Sequence, residues 1–184
     1  MRIIGGKYRS RVLSEFAGED VRPTSDRAKE SLFNILALKI RQARVLDLFA
    51  GSGALGLESL SRGAKEVVFN DVSKGSLAIL KKNLKTLQIP INGDEAKISN
   101  YDYAVCLEMQ KGTFDLIFID PPYRFDYGVE ALKKIAEKGL LSEDGIAVYE
   151  RDRPFEGALT GLEKYDERRY GKAYLTFFRK RRDI

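Results

Sequence analysis

Val45-Leu46-Asp47-Leu48-Phe49-Ala50-Gly51-Ser52-Gly53-Ala54-Leu55-Gly56 is the stretch on which the fold turns. Its first five residues are apolar but for one carboxylate, the pattern of a strand covered on both faces. Gly51, Gly53 and Gly56 then fall in the spacing G-x-G-x-x-G, ahead of a run bearing Leu55, Leu57 and Leu60. Strand, glycine turn and helix form the context this spacing needs. The glycines let the backbone turn tightly and approach a ligand at the carboxyl end of a parallel sheet.

The same alternation continues outward from that stretch. Val67-Val68-Phe69 predicts a second strand, closed by Asp71, where a carboxylate can accept hydrogen bonds from ribose hydroxyls. Ser73 caps a helix that turns Leu77, Leu80, Leu84 and Leu87 inward and Lys81, Lys82 and Lys85 to water. A weak strand near Ala96 to Ser99, a strong one from Phe114 to Ile119, a helix from about Tyr127 to Glu137 and a strand from Ile146 to Glu150 follow. Two further strands, near Leu162 to Arg169 and Ala173 to Phe178, turn at Tyr170-Gly171. Upstream, Arg2 to Leu13 reads as a short hairpin or extended arm and Phe16 to Pro23 as a polar loop. Ser25 or Asp26 then caps a helix striped by Ala28, Leu32, Ile35 and Leu36. The expected fold is α/β and Rossmann-like: a doubly wound, mostly parallel sheet with a C-terminal antiparallel hairpin and a short N-terminal β-hairpin arm. Its 184 residues suit one domain, with residues 1–23 as the arm and 24–184 as the core.

Composition narrows the chemistry. The chain has no histidine and one cysteine, Cys106, which excludes histidine-based triads, an intramolecular disulfide and Cys-rich zinc sites. No metal is expected. No apolar run has the length of a membrane span or a signal peptide, so a cytoplasmic protein with no membrane partner is expected. Net charge is +5, and the cations crowd the two ends: Arg2, Lys7, Arg9 and Arg11 at one, Arg168, Arg169, Lys172 and Arg179 to Arg182 at the other. That distribution suggests a nucleic-acid footprint.

The glycine turn with Asp71 would suit NAD or S-adenosylmethionine. Asp47 shifts the balance, because a carboxylate there suits a cationic methionine group and repels a pyrophosphate. The cofactor-binding candidates are Asp47, Phe49, Gly51, Ser52, Gly53, Asp71 and, beyond the third strand, Asp102. Asp94 competes with Asp102 if that strand begins earlier. Asp120-Pro121-Pro122-Tyr123 follows a buried strand with a stiff turn, since each proline fixes its own φ and biases its predecessor toward extended backbone. Asp120 and the Pro121 carbonyl can accept both N–H groups of an exocyclic base amine, and Tyr123 can stack on the base. These four are the catalytic candidates.

The string from Val45 to Gly53 resembles the first motif of class I methyltransferases. With Arg2-Ile3-Ile4-Gly5-Gly6, Arg9-Ser10-Arg11, Arg22-Pro23-Thr24-Ser25-Asp26-Arg27, Ser31 to Leu36, Leu57 to Ala64 and Asp120 to Tyr123, the whole chain resembles the RsmD-type methyltransferases. The resemblance implies a transfer from S-adenosylmethionine to the N2 amine of a guanine in bacterial 16S ribosomal RNA, of the guanine 966 type. It also implies presentation of that guanine within an assembled small subunit, to a monomeric enzyme. Arg2, Lys7, Arg9, Arg11, Arg22 and Arg27 would then hold RNA. Two departures stand out: Asp71 occupies a position where these enzymes usually carry glutamate, and Pro90 to Lys97 does not align cleanly. Two other readings compete. One is a DNA adenine-N6 methyltransferase, since Asp-Pro-Pro-Tyr occurs there too, although little room remains for a target-recognition domain. The other is a non-catalytic RNA-binding assembly factor.

Overall fold

The buried strands are apolar because helices cover both sides of the sheet they form. The computed structural model describes residues 1–15, 26–122 and 126–182. Its seven strands are β1 (Arg44–Asp47), β2 (Glu66–Asn70), β3 (Ala96–Ser99), β4 (Phe114–Ile119), β5 (Leu141–Arg151), β6 (Leu162–Tyr170) and β7 (Ala173–Lys180). They lie in the order β3-β2-β1-β4-β5-β7-β6, with β1 to β5 parallel and β7 antiparallel to both β5 and β6. The winding reverses between β1 and β4, and the crevice beyond their carboxyl ends is where open sheets of this type bind ligands.

Six helices pack on the two faces: α1 (Asp26–Ile35), α2 (Ala37–Ile40), α3 (Ala54–Ser61), α4 (Lys74–Thr86), α5 (Tyr103–Met109) and α6 (Tyr127–Glu137). One core cluster joins α1 to α4 to residues such as Val45, Phe69, Phe118 and Val148; the other joins α5 and α6 to Leu46, Ile117, Ile119 and Tyr149. In α4, Leu77, Leu80 and Leu84 are buried while Lys81, Lys82 and Lys85 are exposed, and the Ser73 hydroxyl accepts the Ser76 N–H, as the pattern predicts. No helix among the described residues is long and apolar enough to cross a membrane.

Three local expectations are corrected. In α1 the buried face runs through Ala28, Lys29, Leu32 and Phe33, which turns Ile35 outward. The strand expected from Ile146 begins at Leu141, because a register irregularity between Phe114 and Leu116 absorbs the polar Ser142-Glu143-Asp144 segment. Tyr170 pairs with Ala173, so the hairpin turns on Gly171 and Lys172 rather than on Tyr170 and Gly171. The Phe16 to Pro23 loop and the Ser25 cap lie outside the described residues.

The N-terminal arm is docked on the core. Arg2 and Val12 form an antiparallel bridge, and Ile3 and Leu13 are buried in the larger core cluster. The anchor is Glu58 of α3, which is fully buried. Its carboxylate accepts the backbone N–H groups of Ile4 and Gly5, both at 2.8 Å, and pairs with Arg62 at 2.8 Å and Lys29 at 3.6 Å. Lys29 Nζ in turn donates to the Arg2 carbonyl at 2.6 Å. One turn further on, Ser61 accepts the Lys7 N–H on its carbonyl and the Tyr8 N–H on its hydroxyl. Gly6 lies so close that a Cβ there would sit 1.8 Å from the Ser61 carbonyl oxygen, at a φ of +78°.

Removing the Glu58 carboxylate strands the buried Lys29 charge and orphans two backbone donors. Glu58→Ala should therefore cost about 3–5 kcal/mol of stability and open the arm to trypsin at Lys7, Arg9 and Arg11. Urea titration and limited proteolysis read the two effects. An unchanged cleavage rate would mean that other contacts hold the arm.

Candidate active site

The glycine turn after β1 is fixed from both sides. Asp47 is 2% exposed, and one of its oxygens accepts the Gly56 N–H at 2.9 Å, tying the strand end to the first turn of α3. Burial pushes the Asp47 carboxyl up to about 7; the Gly56 N–H opposes that shift and the Asp71 charge adds to it. Asp71, at the end of β2, accepts the Gly51 N–H on one oxygen and the Ser73 N–H on the other, both at 2.8 Å. A carboxylate has lone pairs beyond these two bonds, so Asp71 keeps capacity for a ligand hydroxyl. Gly51 has a φ of +54°, and a Cβ built there meets nothing within 4 Å. The space over Gly51 is open, which leaves room for a cofactor lying against the backbone. Ser52 and Gly53 complete the turn, Gly53 donating to the Ala50 carbonyl at 2.7 Å.

Phe49 opens an aromatic row along this edge. Its ring centroid is 5.7 Å from that of Tyr103, which is 5.2 Å from that of Tyr127 at the start of α6. Asp102 caps α5 by accepting the Ala104 N–H at 2.9 Å, just past the carboxyl end of β3. Asp94 precedes the amino end of that strand, on the opposite edge of the sheet. The topology therefore puts Asp102, and not Asp94, on the edge that carries Gly51 and Asp71.

Asp120 leaves β4 beside this turn. β1 and β4 pair with Asp47 opposite Phe118, and β4 and β5 pair with Ile119 opposite Tyr149. One step beyond, Asp120 is level with Glu150. Burial pushes the Asp120 carboxyl well above the usual carboxylate range, and the charges of Glu150 and Asp47 add to the shift. Pro121 is buried and Pro122 exposed, while Tyr123 lies outside the described residues. Arg151, 8% exposed, lies over the Tyr149 and Phe155 rings, and its Nε has no hydrogen-bond partner among the described residues.

The candidate RNA contacts divide by position. Arg9 and Arg11 are exposed and make no ion pair among the described residues; Lys7 lies over the Tyr8 ring. Arg2 is exposed but paired with Asp26 at 2.6 Å, Arg27 is exposed on α1, and Arg22 lies outside the described residues. The arm reaches the glycine turn through Asn83 of α4, whose amide binds the Ser14 backbone and donates to the Ser52 carbonyl. The C-terminal cations do not form one cluster. Because β7 runs antiparallel to β5, Arg168, Arg169 and Lys172 lie toward the carboxyl edge of the parallel strands. Arg179, Lys180 and Arg182 lie toward the opposite edge, paired with Glu163, Glu143 and Asp144.

Several residues here carry no sequence signal of their own. Asn70, buried at the end of β2, donates to the Leu48 and Tyr101 carbonyls and accepts from Ser99, lacing the ends of β1, β2 and β3 together. Asn100 donates to the Asp71 and Val72 carbonyls. An asparagine closing the apolar run Val67-Val68-Phe69 is the one clue that could have marked Asn70.

The Asp47 carboxyl binds its proton more tightly folded than unfolded, since about 7 exceeds 3.8. Its contribution is present at low pH and lost as pH rises through 7. Stability of the unliganded protein should fall between about pH 4 and 7, and Asp47→Asn should flatten that fall in urea midpoints. An unaltered slope would assign the pH dependence elsewhere.

The family described as conserved hypothetical protein 95 matches residues 1–179. Ribosomal RNA small subunit methyltransferase D of Haemophilus influenzae is 39% identical over 158 residues, spanning 84% of this chain and 81% of that protein. The putative rRNA methyltransferase YlbH of Bacillus subtilis is 40% identical over 157 residues, 85% of each. Among solved structures, the putative methyltransferase yhhF from Escherichia coli has a TM-score of 0.85 at 33% identity, covering 98% of this chain and 97% of that one.

Proposed function

The chain belongs to the RsmD family, and we propose that it transfers a methyl group from S-adenosylmethionine to the N2 amine of a guanine in small-subunit ribosomal RNA. One juxtaposition carries the reading. The Asp120-Pro121-Pro122 turn leaves β4 directly beside the β1 strand end, whose glycine turn has open space over Gly51 and is held through the Gly51 N–H by the Asp71 carboxylate at the end of β2.

S-adenosylmethionine supplies an electrophilic methyl on a sulfonium. Asp47, Gly51, Ser52, Gly53, Asp71 and Asp102, with Phe49 alongside, are the residues that would hold it. An exocyclic amine is a poor nucleophile because its lone pair is delocalised into the ring. Asp120 and the Pro121 carbonyl would accept its two N–H groups, turning the nitrogen lone pair toward the methyl and favouring the charge that develops there. On methylation the amine would give up one proton, and Asp120 or water would take it. The prolines contribute stiffness, so that the two acceptors cost little reorganisation. The base must be unpaired or flipped to enter. Lys7, Arg9 and Arg11 on the arm, joined by Arg168, Arg169 and Lys172 at the hairpin tip, would hold the surrounding phosphates.

Incubation with labelled S-adenosylmethionine and unmethylated small subunits, followed by nucleoside mass analysis, should yield N2-methylguanine; label only in N6-methyladenine would overturn the choice of base. Asp120→Ala should keep cofactor affinity while turnover falls by about 10²–10³. A collapse of cofactor affinity would reverse the roles given to Asp71 and Asp120.

Reversing Arg9 and Arg11 to glutamate should weaken binding of a small-subunit RNA fragment and reduce the log–log salt slope by about two. The same reversal at Arg181 and Arg182, toward the opposite edge, should leave the slope unchanged. Equal effects at both ends would remove the arm from the interface.

A further inference from the structure

Arg151 ends β5 as a buried cation without a counter-charge among the described residues. It is 8% exposed, its guanidinium makes no hydrogen bond or ion pair to a described residue, and its Nε is shut away from solvent. The Asp126 and Asp152 carboxylates, whose charges reach the neighbouring Tyr149, are exposed and pair with Arg153 instead, at 3.1 and 3.5 Å. What Arg151 does touch is aromatic: its Cζ lies 5.4 Å from the Tyr149 ring centroid and 5.9 Å from that of Phe155. A guanidinium held on ring faces keeps its in-plane N–H groups for an oxyanion. Buried without a counter-charge, it is unfavourable until such an anion arrives.

The surroundings of Arg151 point to the anion. Tyr149 stands opposite Ile119 of β4, so Arg151 is level with Pro121 in the turn that follows Asp120. That turn leads on to α6, where a Cβ at Gly128 would sit 2.2 Å from the Tyr149 ring; the first turn of α6 therefore closes on the ring that carries Arg151. On the other side, Tyr174 of β7 stands opposite both Arg151 and Arg169 of β6. Residues directly opposite in a ladder share a face, so Arg151, Tyr174 and Arg169 form a row from the Asp-Pro-Pro turn out to the hairpin tip. Arg169 is exposed, with its Cζ 5.5 Å from the centroid of the half-buried Tyr174 ring. Arginine alternating with tyrosine is a composition that tracks a single nucleic-acid strand, cations on phosphates and rings on bases. We infer, on the methyl-transfer reading above, that Arg151 binds a phosphodiester of the RNA strand next to the target nucleotide, and that Tyr174 and Arg169 carry that strand on to the hairpin tip. The cofactor's carboxylate is another oxyanion, but the glycine turn proposed to hold the cofactor follows β1, two strands away from β5.

Salt titrations of binding to the small-subunit RNA fragment that holds the methylated nucleotide test this. Arg151→Met keeps an apolar stem on the two rings and removes the charge. Its urea midpoint should equal or exceed that of wild type, because an unpaired buried charge is lost, and its affinity for S-adenosylhomocysteine should be unchanged. RNA binding should weaken about 10–100-fold, with the log–log salt slope lower by about one. Arg151→Lys should keep the slope and recover part of the affinity, as a point charge without the fork. Arg153→Met, which removes an exposed arginine already paired with carboxylates, should behave as wild type. A fragment with one neutral methylphosphonate beside the target should bind wild type as weakly as the unmodified fragment binds Arg151→Met, with no further loss when the two changes are combined. An unchanged slope in Arg151→Met, a fall in its urea midpoint, a loss of S-adenosylhomocysteine affinity, or an equal effect from Arg153→Met would overturn the inference while leaving methyl transfer intact. Wild-type enzyme that methylates no RNA nucleoside would instead overturn the reaction itself, and the role of Arg151 with it.

Discussion

The pairing of β1 with β4 is the constraint on which the site depends. The two strands are neighbours in the sheet, Val45 beside Leu116 and Asp47 beside Phe118, yet the whole β2–β3 half of the fold separates them in sequence. Only this pairing brings the glycine turn beside the Asp120 turn. Because β1 is paired with β2 and β4, β4 with β1 and β5, and both faces are covered, neither strand can slide without moving a core phenylalanine or leucine to the wrong side. Stiffness at the reacting edge is thus inherited from apolar packing well below it.

Much of this was legible in the sequence because it is local. Two-residue alternation, continuous apolar runs and leucines at helical spacing mark β4, α4 and α6 without any tertiary information. The glycine turn, Asp71 and Asp120 are legible for the same reason: each sits immediately after a strand, where position along the chain fixes position on the edge. The choice between Asp102 and Asp94 follows from strand direction once β3 is bounded. What could not be read is whatever joins distant segments through a buried polar group. Glu58 looks like an ordinary helical glutamate, but it holds the arm from some fifty positions away. Asn83 does the same between Ser14 and the Ser52 carbonyl. Likewise, grouping Arg168 with Arg182 is natural along the chain and fails in space, since a hairpin carries the two toward opposite edges.

The N-terminal arm gains its meaning from how it is held. A flexible basic tail could touch phosphate in many registers. An arm whose Ile4 and Gly5 N–H groups are fixed on the buried Glu58, and whose Ser14 is fixed on Asn83, presents Arg9 and Arg11 at a set distance from the glycine turn. Holding it this way orders the cations before any RNA arrives, which lowers the entropy lost on binding.

Charge then divides the proposed labour along one edge. Exposed cations on the arm and at the hairpin tip attract the backbone of a polyanion and carry no sequence information. The crevice between them carries carboxyls: Asp47 and Asp120 follow one another at the ends of β1 and β4. Burial raises the Asp47 and Asp120 carboxyls toward their neutral forms. In the proposed reaction their negative charge would return as the cationic methyl donor and the N–H groups of a base arrive, so the crevice would become acidic only when its own ligands fill it, while the phosphates stay with the cations at the rim.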